Sequence, residues 1–474
     1  MDFVLGIDLG TSYFKLGLFD RAGEIRGLGR IFVPKDTGDG SRSEVPVHRF
    51  WELLNQALND ACRQAGAQSQ QIKAIGYSSQ ANSFLLLDKQ KKPLTPLILW
   101  SDNRARDIEN VEALFQKKDF LERMGLGIEC SHQFCVAKCV WFQTHQPDLW
   151  ARAAHLMTIS DYFTWSITDQ PLGDSGTAAL LGLLDLRTRK WQPDIIDLSN
   201  IQLSTPLLPG TVAGKITARG ARRLNLPANI PFVVGSLDHH IAGIGAGAGH
   251  IADMSESTGT VLACLKLDSG YYPRKNICTG NGLSEDQVYQ LAFEGNGAGS
   301  LEWYQRTQAP GLTIPELVQL AAAVPIGSEG LVARPNADSY PALEGFAGIS
   351  PNHQQSHFTR AILESTAASL VQLVDHLSGG DPPKRIVATG GGAASDLLLQ
   401  IKADLLGIEF ITTQSSVPAC RGAAMLAALA AGWFRTLEKI SGEWVKVDRR
   451  FKPISENHSA YLEWYHQWKA LTAK

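Results

Sequence analysis

Cysteines are few in this sequence of 474 residues, and no two are spaced as Cys-x-x-Cys. An odd number at low density predicts neither a disulfide framework nor a zinc site. Reduced thiols are typical of cytoplasmic proteins, so we expect that location. The seven cysteines are Cys62, Cys130, Cys135, Cys139, Cys264, Cys278 and Cys420.

Strong charge of one sign and long apolar runs are also missing. The 44 Lys and Arg residues nearly balance 47 Asp and Glu, and no run of five basic residues occurs. This balance argues against a nucleic-acid or membrane-surface partner. The longest helical apolar stretch, 423–434, is far shorter than the about 20 residues of a membrane span. The first residues show no basic, signal-like leader.

Four common catalytic or nucleotide-binding motifs are absent. The sequence has no Gly-x-x-x-x-Gly-Lys-Ser/Thr, Gly-x-Gly-x-x-Gly, His-Glu-x-x-His or Gly-x-Ser-x-Gly. These absences disfavour a Walker-type NTPase, a Rossmann dehydrogenase, a zincin and an α/β-hydrolase. Any phosphate chemistry must therefore use other patterns.

What is present is an alternation of strand and helix patterns in a core-forming composition, with 44% hydrophobic residues. An antiparallel meander of three strands opens the chain and is followed by a helix and a buried strand. The predicted strands lie at 3–9, 13–19, 25–33 and 72–77, and the predicted helix lies at 47–65.

A similar order returns later, which suggests a duplicated α/β architecture. A Ser/Thr/Gly turn is predicted at 255–260, and the glycine-rich stretch 243–249 is compatible with a hinge or with tight helix packing. We therefore expect two domains, 1–246 and 247–474. The predicted later strands lie at 261–267, 288–293, 385–389 and 408–411, and the helices at 354–377, 397–406 and 421–434.

Two turns are candidates for holding phosphate. After the first strand, Gly10 allows backbone N–H groups to approach an anion closely, and Thr11 and Ser12 add hydroxyl groups. Asp8 could hold Mg²⁺ through water. The turn at 256–260 offers the same donors without the aspartate. The alternative for each is a plain hairpin turn, but two duplicated turns could hold one polyphosphate together.

A third glycine-rich segment, 390–392, follows a predicted strand and opens a predicted helix. A helix N-terminus attracts anions, and bare glycine backbone lets a flat ring lie against it. The alternative is a tight strand–helix turn.

One carboxylate, that of Asp238, lies just past an apolar strand, where α/β proteins commonly bind ligands. It could accept a proton from a substrate hydroxyl group. The alternative is a helix N-cap. His239 and His240, which follow it, are expected to be polar lining or surface residues.

Polar groups after two further apolar segments suit a ligand with many hydroxyl groups, although each segment could be an ordinary loop. The first segment is Ser78-Ser79-Gln80-Ala81-Asn82, and the second is Trp100-Ser101-Asp102-Asn103-Arg104.

In order along nearly the whole chain, these segments resemble the FGGY carbohydrate kinases, which are actin-like, duplicated ribonuclease-H-fold ATPases. The motifs that carry the resemblance are GIDLGTSYFK at 6–15, SSQ…LLLD…PLILWSDNRA at 78–105, FCVAKCVWFQTHQPDLW at 134–150, VVGSLDHHIAGIGAGA at 233–248, STGTVLA at 257–263, FAGISPNHQQSHFTRAILES at 346–365 and ATGGGAASDLLLQIKADLLG at 388–407.

The resemblance implies two ribonuclease-H-like domains with an interdomain cleft, and transfer of the ATP γ-phosphate to a sugar hydroxyl group. It implies ATP with Mg²⁺ organised by Asp8, Asp238 as general base, and, by analogy, a homodimer. On the nucleotide side it implies Gly10, Thr11, Ser12, Lys15, Gly259, Thr260, Gly299, Gly391, Gly392 and Ala393. On the sugar side it implies Gln80, Asn82, Trp100, Asp102, Asp238 and His239.

The sugar itself is left open by the residues after Gln80. Xylulokinase-like members typically carry Met-His there and glycerol kinases Arg-Glu, whereas this chain has Ala81 and Asn82. A ketopentose such as xylulose is the first expectation. The alternatives are another sugar or polyol, a degenerate binding protein that kept the fold, or another actin-like ATPase such as a chaperone.

Overall fold

The computed structural model describes residues 1–38, 40–192, 194–335 and 343–472. Its strands are β1 (Phe3–Leu9), β2 (Tyr13–Phe19), β3 (Ile25–Phe32), β4 (Glu44–Val45), β5 (Ile72–Ser79), β6 (Phe84–Leu87), β7 (Leu97–Ile98), β8 (His155–Thr158), β9 (Leu172–Asp174), β10 (Leu184–Asp185), β11 (Lys190–Trp191), β12 (Gln202–Leu203), β13 (Thr205–Leu207), β14 (Val212–Lys215), β15 (Pro231–Val233), β16 (Met254–Thr258), β17 (Leu262–Ser269), β18 (Cys278–Asn281), β19 (Gln287–Glu294), β20 (Val332–Pro335), β21 (Leu343–Ala347), β22 (Arg385–Thr389), β23 (Glu409–Thr413) and β24 (Val447–Phe451).

The α-helices of the described residues alternate with these strands. They are α1 (Val47–Ala65), α2 (Phe120–Met124), α3 (Cys135–His145), α4 (Pro147–Arg152), α5 (Ile159–Thr168), α6 (Ser175–Ala178), α7 (Ala218–Leu224), α8 (Asp238–Ala246), α9 (Ala298–Gln308), α10 (Ile314–Ala321), α11 (Gln355–Ser378), α12 (Asp396–Leu406), α13 (Pro418–Ala430), α14 (Leu437–Trp444) and α15 (Ser455–Thr472). None of the helices in the described part of the chain has the length and apolar character of a membrane span.

The chain forms two compact units, neither of which is continuous in sequence. The first comprises Met1–Gly245, Leu267–Gln290 and Ser415–Trp444, and the second comprises Ala246–Lys266, Leu291–Gln414 and Val445–Lys474. The chain first leaves the first unit after Gly245. The division into domains 1–246 and 247–474 stays a prediction.

The two large sheets share one topology, strand for strand. The first follows the order β14–β15–β5–β1–β2–β3, and six neighbouring strands of the second follow β24–β23–β22–β16–β17–β19. In each, a central hairpin is antiparallel and the next two strands join it in parallel. The outermost strand on that side is antiparallel. The predicted duplicated α/β architecture is confirmed.

The core of the first unit follows from its sequence pattern. All seven residues of β1 are buried, as expected for the apolar run of a central strand. Helix α1 packs its predicted face, which includes Phe50, Leu54 and Leu58, into the same core. The predicted meander of β1, β2 and β3 is confirmed by their antiparallel pairing.

Helix α13 completes this core from a distant part of the chain. A Cβ atom added at Gly6 would lie 1.9 Å from the carbonyl oxygen of Cys420, and one at Gly76 would lie 2.3 Å from that of Ala423. Only glycine permits this close approach of a helix backbone to two neighbouring strands. The predicted tight packing of the glycine-rich stretch is likewise seen at Gly245, whose added Cβ would lie 2.0 Å from the oxygen of Pro418.

Two local predictions were wrong. Residues 255–258 belong to strand β16 rather than to a turn, because neighbours on both sides, β17 and β22, supply backbone partners that outweigh the turn preference of Ser and Thr. The glycines at 390–392 do not open an α-helix directly. A short 3₁₀ turn, Gly391–Ala394, intervenes, and Ser395 caps α12.

A pair of buried carboxylates in the first unit should make stability depend on pH. Asp161 accepts a bond from the Thr158 N–H at 3.2 Å, and burial, together with the charge of Asp174, raises the pKa of Asp161 to about 7. The folded state therefore keeps a proton that the unfolded chain releases near its ordinary pKa of about 3.9. The stability gained from this proton is complete below about pH 4 and is lost as pH rises to about 7.

We expect Asp161→Asn to remove part of this pH dependence. Each pKa unit corresponds to about 1.4 kcal/mol, so the wild type should lose up to about 4 kcal/mol over this range. Unfolding in urea at pH 4 and pH 8 spans this range and measures the difference. Equal losses in wild type and variant would show that Asp161 is not the group that titrates.

Candidate active site

Three parallel strands of the first unit bring most of the predicted site residues to one edge of the sheet. Strand β5 lies between β1 and β15, and Asp8 of β1 is in register with Ser78 of β5. An isolated parallel bridge between Ser79 and Leu237 extends the pairing to the residue before Asp238. The carboxyl ends of such strands are where α/β folds place ligands.

Asp8 is buried and paired. Asp8 is paired with Lys15 across the β1–β2 hairpin, and Lys15 Nζ lies 3.0 Å from Asp8 Oδ2. The Ser78 hydroxyl donates to Asp8 Oδ1 at 3.3 Å. Burial raises the pKa of Asp8, Lys15 opposes this, and the charge of Asp238 raises it further. Burial lowers the pKa of Lys15, but the charge of Asp8 and its hydrogen bond to Lys15 together outweigh burial, and the net shift of the pKa is upward. The charge of Asp238 therefore reaches Asp8 at this end of the sheet.

Asp238 is the first residue of α8 and is partly exposed. Its Oδ1 accepts the N–H of the adjacent His239 at 2.8 Å, whereas an N-cap side chain binds an amide two or three residues on. His239 is half-buried beside it. His240 is not a surface residue: its Nδ1 lies 2.9 Å from the Ser236 hydroxyl, and burial lowers its pKa to about 3, which keeps the ring neutral.

The hydroxyl of Thr11 is used within the protein. It donates to Gln80 Oε1 at 3.1 Å and accepts the indole N–H of Trp100 at 2.7 Å. An anion at this turn is therefore left with backbone N–H groups and the exposed hydroxyl of Ser12. The turn is tight, because a Cβ at Gly10 would lie 2.8 Å from the carbonyl oxygen of Tyr13.

Gln80 is also fully engaged by the protein. Its Nε2 donates to the carbonyl oxygens of Leu9 and Gly10 at 3.3 and 3.2 Å, and its Oε1 accepts the Ser83 hydroxyl at 2.8 Å. The amide therefore ties the turn at residues 10–12 to the segment after β5.

Two further residues on the predicted sugar side are held by protein partners. Asn82 donates to the Leu180 carbonyl oxygen at 3.1 Å and accepts the Cys135 N–H at 3.0 Å. Asp102 is fully buried, and Arg104 donates to both of its oxygens, at 2.8 and 2.9 Å. Burial raises the pKa of Asp102, but the hydrogen bonds from Arg104 and the Ser43 N–H, together with the charge of Arg104, outweigh burial and hold the pKa below its usual value.

In the second unit, the predicted turn follows β16 and rests on a buried ion pair. Lys402 Nζ lies 2.8 Å from Glu256 Oε1 and donates to the Thr258 hydroxyl at 2.6 Å. That hydroxyl donates to Glu256 Oε2 at 2.8 Å. The cluster fixes the end of β16, and Gly259 and the exposed Thr260 follow directly after it.

The glycines after β22 lie beside that turn, since β22 pairs in parallel with β16. Gly390 has a φ of 76°, and a Cβ there would lie 2.9 Å from the carbonyl oxygen of Thr258. Gly391 is exposed, Gly392 is buried and Ala393 is intermediate. Gly299 is buried in the first turn of α9, whose N-cap Gly297 approaches the carbonyl oxygen of Gly259.

The sequence patterns assigned no role to Lys138 or Lys402, and they placed Ser78 only in a segment suited to a ligand with many hydroxyl groups. Lys138 and Lys402 are each fully buried on a helix. A lysine among apolar residues on a helical face was a visible signal, but its partners lie on segments distant in sequence. The pairing of Ser78 with Asp8 depends on strand register, which the sequence alone did not give.

Family models match both halves of the chain. Residues 3–245 match the N-terminal domain of the FGGY family of carbohydrate kinases, and residues 324–431 match its C-terminal domain.

Full-length relatives and a solved structure agree. The chain is 27% identical to a xylulose kinase of Staphylococcus epidermidis, over 99% of this chain and 96% of that protein. It is 28% identical to a xylulose kinase of Lactococcus lactis subsp. lactis, with the same coverage. The ligand-bound xylulose kinase of Lactobacillus acidophilus has the same fold, with a TM-score of 0.89 at 20% identity over 99% of this chain and 98% of the other.

Proposed function

The chain belongs to the FGGY family of carbohydrate kinases and is an ATP-dependent sugar phosphotransferase, and on this premise we propose that its acceptor is a ketopentose, with xylulose as the first candidate. The relatives named above, which match along almost their whole length, are xylulose kinases. The observation that carries the assignment of a catalytic site is the placement of Asp8 and Asp238 at the carboxyl ends of β1 and β15, the two strands that flank β5, where the charge of Asp238 acts on Asp8.

For Asp238 we propose the role of general base. It is partly exposed at the edge of the sheet, and its bond to the His239 N–H fixes the carboxylate. A carboxylate so placed can orient a sugar hydroxyl group and accept its proton as the oxygen attacks the γ-phosphorus. His239 and the indole face of Trp100 are the further contacts that we propose for the sugar.

The residues around Asp8 fit Mg²⁺. Carboxylate oxygens are preferred Mg²⁺ ligands, and the ion is commonly held by one or two carboxylates plus substrate phosphates. Here burial and, to a smaller extent, the charge of Asp238 disfavour ionisation of Asp8, and a nearby cation would favour the ionised form. When bound, Mg²⁺ would neutralise charge on the phosphates. We propose that Asp8 holds it and that Lys15 fixes the orientation of Asp8.

The nucleotide contacts that we propose are at the turns that follow β1, β16 and β22 and at the start of α9. In the first unit we propose that backbone N–H groups at Gly10 to Ser12 and the Ser12 hydroxyl bind phosphate. In the second unit we propose that Gly259 and Thr260 bind phosphate, and that Gly391 and its neighbours border the adenosine. The residues that we propose for the border of the adenosine pocket are Gly299, Gly391, Gly392 and Ala393.

A panel of acceptors tests the proposed substrate. Release of ADP is followed with ATP and Mg²⁺ against both enantiomers of xylulose and ribulose, fructose, aldoses, glycerol and a blank without sugar. We expect one ketopentose to exceed glycerol by at least about 100-fold in kcat/KM, because a site built for more hydroxyl groups leaves polar groups unpaired with the shorter polyol.

Other outcomes have distinct meanings. The highest turnover on glycerol or an aldose would contradict the proposed acceptor but not the kinase activity. No turnover with any sugar, while ATP still raises the unfolding temperature, would favour a degenerate binding protein. A homodimer and a cytoplasmic location stay predictions, which light scattering and cell fractionation can test.

A further inference from the structure

Lys138 is a buried cation that none of the proposed roles uses. It lies on α3 with no exposed side-chain surface, and its Nζ donates to the carbonyl oxygens of Gln133 at 2.6 Å and Trp100 at 2.9 Å. Burial lowers its pKa to about 8, which shows that the charge is held at a cost. An apolar residue would avoid that cost, so the gain must lie in the segment that Lys138 holds.

That segment is Trp100, which is fixed at three points. Its carbonyl oxygen accepts from Lys138, its N–H donates to the Ser83 hydroxyl at 2.9 Å, and its indole N–H donates to the Thr11 hydroxyl at 2.7 Å. Ser83 and Thr11 both donate to Gln80 Oε1, at 2.8 and 3.1 Å. The four side chains and the Trp100 backbone thus form a closed ring of hydrogen bonds.

The ring joins two functions of the site. Thr11 belongs to the first phosphate turn, whereas Trp100 lies on the proposed sugar side. Because Gln80 also donates to the carbonyl oxygens of Leu9 and Gly10, the turn at residues 10–12 and Trp100 cannot move independently without breaking hydrogen bonds of the ring. Lys138 is outside the ring and fixes it to α3.

We propose that Lys138 is a positioning residue that holds Trp100. Through the indole N–H of Trp100 it also holds the Thr11 hydroxyl, so that the proposed sugar side at Trp100 and the proposed phosphate turn at residues 10–12 move together. This inference rests on the proposed function for the sugar side. It predicts that a change at Lys138 that loosens Trp100 also loosens the turn at residues 10–12, although the hydrogen bonds of Lys138 go to Trp100 and Gln133 and not to the turn.

Lys138→Met tests the proposal. Charge-assisted bonds of this kind are worth about a 10- to 100-fold change in an equilibrium, so we expect the sugar KM to rise by that factor. We expect kcat to change less than fivefold, because Asp8 and Asp238 keep their partners. Lys118→Met, at an exposed lysine, is the matched control and should leave both constants unchanged.

The pathway through Trp100 is tested by a double-mutant cycle. Trp100→Phe removes the indole N–H but keeps an aromatic ring. If Lys138 acts through Trp100, the double variant should raise the sugar KM no more than the larger single variant does. Additive effects on log KM, or an unchanged KM in Lys138→Met, would overturn the proposal.

A measurement without substrate separates this inference from the proposed function. Amide hydrogen exchange at Val33 and Gln80, whose N–H groups donate to the carbonyl oxygens of Ser12 and Leu9, should be at least about tenfold faster in both Lys138→Met and Trp100→Phe than in wild type and Lys118→Met. If the wild type phosphorylates no sugar, this measurement still tests the coupling. Unchanged exchange in Trp100→Phe would overturn it even if Lys138→Met failed to fold.

Discussion

Asp238→Asn is expected to lower kcat by about 10²- to 10⁴-fold while leaving ATP binding intact. A positioned general base typically contributes this factor, and asparagine keeps the shape of the side chain and an acceptor for the His239 N–H. The substitution thus removes the negative charge and the proton acceptor and leaves the local fold intact. Single-turnover phosphoryl transfer with the best acceptor of the panel measures the loss.

Binding and chemistry are separated by a second measurement on the same variant. ATP with Mg²⁺ should raise the unfolding temperature of Asp238→Asn about as much as that of wild type, because a ligand stabilises in proportion to its affinity for the folded state. Asp197→Asn, at an exposed aspartate, is the matched control for a lost carboxylate. Turnover of Asp238→Asn within threefold of wild type would refute the role of general base.

The largest expected effect on stability comes from the ion pair beneath the second turn. Neither Glu256 nor Lys402 exposes any side-chain surface, and their atoms lie 2.8 Å apart. Removing one member leaves the other charge buried without its partner, which typically costs about 3–5 kcal/mol. Lys402→Met or Glu256→Gln should therefore lower the unfolding midpoint by about 6–20 °C.

A double variant distinguishes loss of the pair from loss of packing. Glu256→Gln with Lys402→Met leaves no uncompensated charge, so it should be more stable than at least one of the single variants. Arg63→Met removes the exposed pair of Arg63 and Asp60 and should cost less than about 1 kcal/mol. A single variant at Glu256 or Lys402 as mild as Arg63→Met would contradict the prediction.

Local sequence patterns predicted most of the fold. The bounds of β1, β2, α1 and β22 agree with the predictions residue for residue, because continuous apolar runs and a single buried face leave little choice of structure. The β16 segment was misread because its Ser and Thr residues prefer turns when considered alone. The outcome is determined by its two neighbouring strands, of which β22 is distant in sequence.

For the site, the sequence indicated which segments meet but not which atoms are available. Asp8 and Asp238 meet because parallel strands end together, a consequence of the fold class. That the amides of Gln80 and Asn82 and the acid of Asp102 are engaged by the protein depends on distant partners such as Leu180 and Ser43. Such pairings are fixed by tertiary packing and leave no local periodicity.

The contact of α13 with β1 and β5 has a consequence for how the protein is made. The strands that carry Gly6 and Gly76 leave the ribosome more than 300 residues before the helix that covers them. Until then the apolar surface that α13 covers on this sheet stays unprotected, and contacts of such sequence separation slow folding. Productive folding of the first unit is therefore a late event in synthesis, and chains arrested before 418 should be clients of chaperones and proteases.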